Sequence, residues 1–209
     1  MRRLIGTICF AMLFCFMSSS VFATQTIRVA IQNAENSWGC EAALNDWLKA
    51  IPKVTNDEVK IEAFYNNTLC NSKDAWNATK IGIADMAWCV QGYWPGLTPL
   101  VEVVTLPGLP FDSSETASRA AYQLLAEFPE IRAEFKDFQP LIFHVDPHVL
   151  MMAKKEIKPV EDLKSLKRRV LGGPPTRQFL AVKATPSLMP MPDIYMSIQK
   201  GVLDGMDVA

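Results

Sequence analysis

Between residues 27 and 90 the spacing of apolar residues switches back and forth between two periods, and this alternation constrains the fold more than any other feature of the chain. Ile27 to Ile31 is a short apolar run with β-branched residues, bounded by Gln32-Asn33, and reads as a buried strand. From Trp38 to Ile51 the period lengthens. Ala43, Leu44, Trp47, Leu48 and Ile51 fall on one helical face, and Pro52 is predicted to end the helix. Val59 to Tyr65 reads as a second strand. A helix capped by Ser72 and running to about Ile81 follows, and then a third strand over Ile83 to Val90. A βαβαβ order predicts a parallel sheet with right-handed crossovers, which binds ligands beyond the carboxyl ends of its strands. Those ends carry Asn33, Asn67, Trp88, Cys89 and Gln91.

The second half continues in the same manner. Tyr93-Trp94-Pro95-Gly96 is a turn, and the prolines of Leu106 to Phe111 make a rigid, extended connector. Ser114 to Phe128 is predicted helical, with Ser113 or Ser114 as cap. Leu141 to His144, Val149 to Ala153 and Lys167 to Leu171 read as strands. Gly172-Gly173-Pro174-Pro175 is a turn before a helix over about 176–183. A last helix starts at Pro192-Asp193 and stops at Gly201, a natural C-cap residue.

The amino terminus sets the compartment. Arg2 and Arg3 precede an uncharged apolar run, Leu4 to Met17, then three serines and Val21-Phe22-Ala23. That is the order of a cleaved secretory signal over residues 1–23, and the run is short for a membrane span. Removing it leaves about 186 residues with 19 basic and 22 acidic side chains, a net charge of −3. A mildly acidic chain without a basic tract lacks the clustered cations that nucleic-acid binding needs. An exported, monomeric, periplasmic protein is the expectation.

Few residues suggest chemistry. No nucleophile elbow, zinc-protease motif, phosphate loop or dinucleotide fingerprint is present, so an enzyme is disfavoured and no cofactor is expected. His144 and His148 flank Pro147 on a strand-like segment and do not complete a metal set. Cys40, Cys70 and Cys89 remain after export, an odd count that permits one bridge. Cys40 and Cys70 follow the first two strands, in loops expected to emerge at the same end of a parallel sheet. Either those two pair, leaving Cys89 free, or all three are unpaired. Arg168 and Arg169 face opposite sides if residues 167–171 form a strand. One can be solvated while the other enters a cleft, or both can be surface charges, the commoner state of arginine. Trp88, Tyr93 and Trp94 fit a pocket lining or ordinary packing. Met189, Met191 and Met196 fit pocket wall or, more simply, core.

Three stretches together resemble the DctP-type substrate-binding proteins of TRAP transporters. The first is Gly82-Ile83-Ala84-Asp85-Met86 with Tyr93-Trp94-Pro95-Gly96, Pro99-Leu100 and Leu109-Pro110-Phe111. The second runs from Pro159-Val160-Glu161-Asp162-Leu163 to Arg168-Arg169-Val170. The third comprises Ala184-Thr185-Pro186, Met189, Asp193-Ile194-Tyr195 and Gln199 to Gly205. Their order and spacing span nearly the whole mature chain. The resemblance implies a type II periplasmic-binding-protein fold, with two α/β lobes of mostly parallel sheets, over 24–146 and 147–209. It implies capture of a small organic carboxylate and its delivery to the membrane subunits of a TRAP permease. Arg169 matches the family arginine that pairs with the substrate carboxylate. Asn33, Trp88, Cys89 and Met191 fall at positions that line the family's cleft.

The chain departs from the family pattern in places. Ser165 and Lys183 stand where members carry glycine, and the Asn that follows Asp-Gly in sialic-acid-binding members is absent after Asp204-Gly205. Val149, with His148 beside it, replaces a second basic residue used by some members. Members also run on beyond residue 209. The resemblance therefore implies an incomplete second lobe, crossed into once near His144 to Val149. Apolar helix faces at Leu44, Trp47 and Leu48, or at Ile194 and Ile198, would then lack partners, and ligand binding would be weak. The alternatives are a similar-fold receptor for a sensor or an ATP-driven permease, an exported enzyme on a related scaffold, or a non-functional fragment.

Overall fold

A computed structural model describes residues 24–146 and 149–208; the leader read at residues 1–23 and His148 lie outside the described residues. The opening strands form one sheet. Strands β1 (Gln25–Ile31), β2 (Val59–Phe64) and β3 (Met86–Trp88) are parallel in the order β2-β1-β3. The central strand is sealed on both faces at Val29, Ala30 and Ile31, which is why it reads as a continuous apolar run. Cys40–Leu44 forms a turn of π-helix leading into α1 (Asn45–Val54). Leu44 and Leu48 bury against Val29, Ile31 and Cys40, with Trp47 and Ile51 packed alongside. Pro52 does not stop this helix. It sits in the last turn, where only one backbone bond is lost. The end is instead made by Thr55, whose N–H and hydroxyl both donate to the Ile51 carbonyl.

The third strand is shorter than its apolar run. After α2 (Ala75–Lys80), residues 82–85 turn back over the helix, with the Ile83 N–H on the Ala78 carbonyl at 2.8 Å. Asp85 then clamps Arg28 of β1. Its carboxylate accepts from the Arg28 N–H at 2.9 Å and Nε at 3.0 Å, and Arg28 Nη2 donates to the Gly82 carbonyl at 2.7 Å. Two 3₁₀ turns, Gln91–Tyr93 and Val101–Thr105, lead to α3 (Ser114–Glu127) and α4 (Pro129–Ala133). Ser113 caps α3 through the Thr116 N–H at 3.1 Å. The strand expected at Leu141–His144 does not form. Side chains of α3 satisfy that backbone instead of a ladder. Tyr122 Oη donates to the Leu141 carbonyl and accepts from the Phe143 N–H, and Ser118 Oγ accepts from the Val145 N–H.

A second sheet holds β4 (Leu150–Ala153), β5 (Lys167–Val170), β6 (Thr185–Leu188) and β7 (Gly205–Val208), in the order β4-β7-β5-β6. Strand β5 is parallel to β6 and β7, and β4 is antiparallel to β7. Helices α5 (Pro175–Ala181) and α6 (Met191–Gln199) make the crossovers. Sequence reasoning missed β6 and β7, because Pro186 and the pair Asp204-Gly205 read as strand breakers. Pro186 is tolerated on an edge strand. Asp204 knots three strands. Its carboxylate accepts from the Lys167 N–H, its N–H donates to the Lys167 carbonyl, and its carbonyl accepts from Lys154. A Cβ at Gly205 would overlap the Met152 carbonyl.

The helix faces expected to lack partners have them. Leu44 and Leu48 are buried against Val29 and Ile31 of β1, Ile194 is buried and Ile198 is half-buried. Among the strands, β4 carries exposed apolar side chains, with Leu150 64% and Met152 52% exposed. Among the described residues no helix is long and apolar enough to cross a membrane.

Candidate functional site

Strand β5 brings two adjacent arginines into the interior, and both are wholly buried. The sequence allowed one of them to be solvated; neither is. Their side chains take opposite sides of the strand and have different partners. Arg168 is ion-paired with Asp207 of β7, touches the Met151 sulfur, and lies 4.4 Å over the Phe179 ring. Its charge is therefore matched within the sheet.

Arg169 has neutral partners only. Nε donates to the Met189 carbonyl at 2.9 Å, Nη1 to the Asp207 carbonyl at 2.8 Å and Nη2 to the Tyr93 phenol oxygen at 2.9 Å. Among the described residues it forms no ion pair. Three bonds leave two of the fork's five donors uncommitted. Burial pulls the guanidinium below its ordinary pKa, while Tyr93 pushes it back up. Burial likewise raises the Tyr93 phenol, against the pull of Arg169. A buried cation without a counter-charge is costly, and a planar fork with free donors is matched by a carboxylate.

Tyr93 reaches Arg169 because two backbones touch. The segment after β3 and the segment after β5 cross at Gly92 and Gly172. A Cβ on Gly92 would overlap the Leu171 carbonyl, and one on Gly172 would overlap the Gly92 carbonyl. Gly172 also has φ +91°, a conformation that glycine adopts without steric cost. Tyr93 was visible in the sequence only as one of three clustered aromatics. The glycine before it is the signal that separates it from Trp88 and Trp94, since it marks a close approach of main chains.

The remaining site residues divide into two groups. Met191 opens α6, and its main-chain N–H reaches the same phenol oxygen. Cys89 lies beside Tyr93 and reaches the Ser72 hydroxyl. These two gather with Arg169 around Tyr93. Asn33 and Trp88 end β1 and β3. The Asn33 carbonyl accepts from Asn66 at 2.9 Å, while its side-chain Oδ1 is buried without a partner. Trp88 packs on the core beneath α1, 3.4 Å from where a Cβ on Gly39 would lie. Trp94 is no part of the site. It stacks on Trp76 with centroids 5.4 Å apart and donates to the Ser72 carbonyl.

The disulfide expected between Cys40 and Cys70 is not formed. All three cysteines are free. Cys40 points down into the α1 core, wholly buried with Leu44 and Leu48, whereas the loop carrying Cys70 crosses the end of β1 in the opposite sense, toward β3. A surface depression of about 600 Å³ is lined by Glu35, Asn36, Glu41, Asn45, Asp46 and Lys49. Three acidic residues in six make it a poor host for an anion.

A solute-binding protein from Verminephrobacter eiseniae is 24% identical over 193 residues, covering 88% of this chain and 55% of the relative. The crystal structure of a TRAP solute-binding protein from Rhodoferax ferrireducens, in complex with copurified benzoate, is 28% identical with a TM-score of 0.81. A marine metagenome TRAP solute-binding protein specific for aromatic acid ligands, with 3-hydroxybenzoate bound, is 25% identical with a TM-score of 0.79. Each structural match covers 88% of this chain and 57% of the solved one, so the chain spans little more than half the length of these relatives. The α/β architecture is that of TRAP periplasmic binding proteins, partly covered. The model of the bacterial extracellular solute-binding proteins of family 7, DctP, matches residues 29–208, and the chain belongs to that family of TRAP solute receptors.

Proposed function

We propose that this protein is an extracytoplasmic receptor that binds a small organic carboxylate and passes it to the membrane subunits of a TRAP permease. Residues 1–23 direct its export and are removed. Residues 24–146 make one lobe and 147–209 contribute to a second, with the ligand held where Tyr93 of the first meets Arg169 of the second. The observation that carries the reading is the state of Arg169. It is wholly buried, it has uncommitted donors, and every hydrogen-bond acceptor it has is neutral. An incoming carboxylate supplies the missing counter-charge and accepts two parallel hydrogen bonds. The relatives that carry benzoate and 3-hydroxybenzoate support an acid of that size. The half-buried aromatic face of Trp88 and the orphaned Asn33 oxygen fit the rest of such a molecule.

Thermal shift against a panel of aliphatic and aromatic acids tests this, with benzoate as the first probe. A ligand that binds only the folded chain, at 100 times its Kd, adds about 2.7 kcal/mol, which raises Tm by roughly 5–10 °C for a chain of this size. The acids should produce such a rise, and benzamide and benzyl alcohol should not. A neutral amide that stabilises as much as its acid would contradict the reading.

A further inference from the structure

The cysteines were expected to pair as Cys40 with Cys70, and the strand order points elsewhere. In the sheet β2-β1-β3 the two outer strands are separated by β1, so a turn that leaves β2 and ends at β3 must cross the carboxyl end of β1. The turn after β2 does so through main-chain bonds: the Asn66 N–H donates to the Asn33 carbonyl at 2.9 Å and the Asn67 N–H to the Ile31 carbonyl at 3.1 Å. Ser72 then anchors its far end. Its hydroxyl reaches the Cys89 thiol, it donates to the Asn67 side chain, and its carbonyl accepts from Trp94 Nε1 at 3.0 Å. Cys70 stands two residues before Ser72, in the part of the turn that has already crossed β1, and Cys89 directly follows β3. The two thiols are close enough to act on each other's charge: burial first, and the neighbouring Cys70 second, push the Cys89 thiol up to about 12. Cys40 is on the other side of β1, sealed in the α1 core and next to Ser37.

We propose that Cys70 and Cys89 join as a disulfide in the oxidised protein, pinning the turn after β2 to the end of β3 beside Tyr93, while Cys40 stays a thiol. The oxidant is a donor disulfide, small or protein-borne. One cysteine thiolate attacks a donor sulfur, forming a mixed disulfide and releasing one donor thiol. The second cysteine attacks the mixed disulfide at the protein sulfur and releases the other donor thiol. Two protein thiols are oxidised, one donor disulfide is reduced, and the two protons leave on the donor thiols. Burial of both thiols favours oxidation while the turn is still packing. The bridge would close a loop ending beside Tyr93, whose phenol meets Arg169, so its placement bears on the receptor reading above. Its chemistry is independent of that reading, since pairing is read without ligand.

The test uses the full chain with Cys9→Ser and Cys15→Ser, so that only Cys40, Cys70 and Cys89 report. It is equilibrated in a glutathione redox buffer, alkylated under denaturing conditions and mapped by peptide mass spectrometry. The expected result is one alkylated cysteine, Cys40, and a linked pair of peptides carrying Cys70 and Cys89. Adding Cys40→Ala should keep the link, and adding Cys70→Ser or Cys89→Ser should abolish it. Reduction of the linked form should lower Tm by roughly 5–10 °C. Three alkylated thiols, cysteines capped only by glutathione, or any bridge that includes Cys40 would overturn the proposal. Ligand binding that fails while the Cys70–Cys89 link forms would count against the receptor reading and leave this one standing.

Discussion

Two residues hold the backbone in a conformation that suits glycine better. Ser165 has φ 63° and Lys183 has φ 60°, and the two turns dock through the Ser165 N–H on the Lys183 carbonyl at 2.8 Å. These are the positions where the family pattern carries glycine, so the departures noted in the sequence are sites of backbone strain and not of altered ligand contact. A left-handed residue other than glycine costs about 1–2 kcal/mol, and the extra unfolded-state entropy of glycine returns about 0.4–1 kcal/mol of that. Ser165→Gly and Lys183→Gly are therefore each expected to raise Tm by a few degrees, about 2–4 °C per kcal/mol. A fall in Tm for both would show that the strain is absent. The same reading applies to most of the motif that first suggested the family. Gly82, Asp85, Asp204 and Gly205 all shape the chain. Arg169 differs in keeping two donors that the fold does not use.

Among the elements, strands with uninterrupted apolar runs were legible, and strands carrying breakers or segments fixed by side chains were not. Strands β1 and β2 read directly from their apolar runs, and α1 from its stripe. Pro52 misled because a proline in the last turn resembles a stop. Residues 141–144 misled because their apolar alternation is real, yet the partners are Tyr122 and Ser118 of a helix. The start of β3 depends on Asp85, whose clamp on Arg28 cannot be seen from either residue alone. That clamp gives a pH signature. The Arg28 hydrogen bond, with the Arg28 N–H behind it, holds the Asp85 carboxyl below its ordinary range. A carboxylate with a depressed folded pKa stabilises above its unfolded value, about 3.9, and loses that contribution as pH falls through the folded value. Asp85→Asn should therefore melt lower than wild type at pH 7, with the gap closing as pH falls below about 4. Melting curves at several pH values check it. A gap that stays constant down to pH 2 would mean that the charge of Asp85 contributes nothing.

At the scale of the whole molecule, two sheets meet through a backbone crossing that only glycine permits, and the crossing delivers one phenol to one buried guanidinium. Gly92 and Gly172 set the approach, Tyr93 makes the contact, and Asp207 satisfies Arg168 through its carboxylate and Arg169 only through its carbonyl. That asymmetry leaves, among the described residues, a single unmatched buried positive charge. The sequence named Arg169 through resemblance. Spacing alone favoured a surface charge, because nothing local reveals that β7 supplies one carboxylate for two arginines. The decisive measurement is calorimetric titration of the best-binding acid from the thermal-shift panel into wild type, Arg169→Ala, Arg169→Lys and the exposed control Lys167→Ala. Loss of about 2–5 kcal/mol of binding free energy is expected for Arg169→Ala. A comparable loss is expected for Arg169→Lys, because a point charge does not reproduce the fork, and Lys167→Ala should bind as wild type does. Near-native affinity in a folded Arg169→Ala protein would contradict the account.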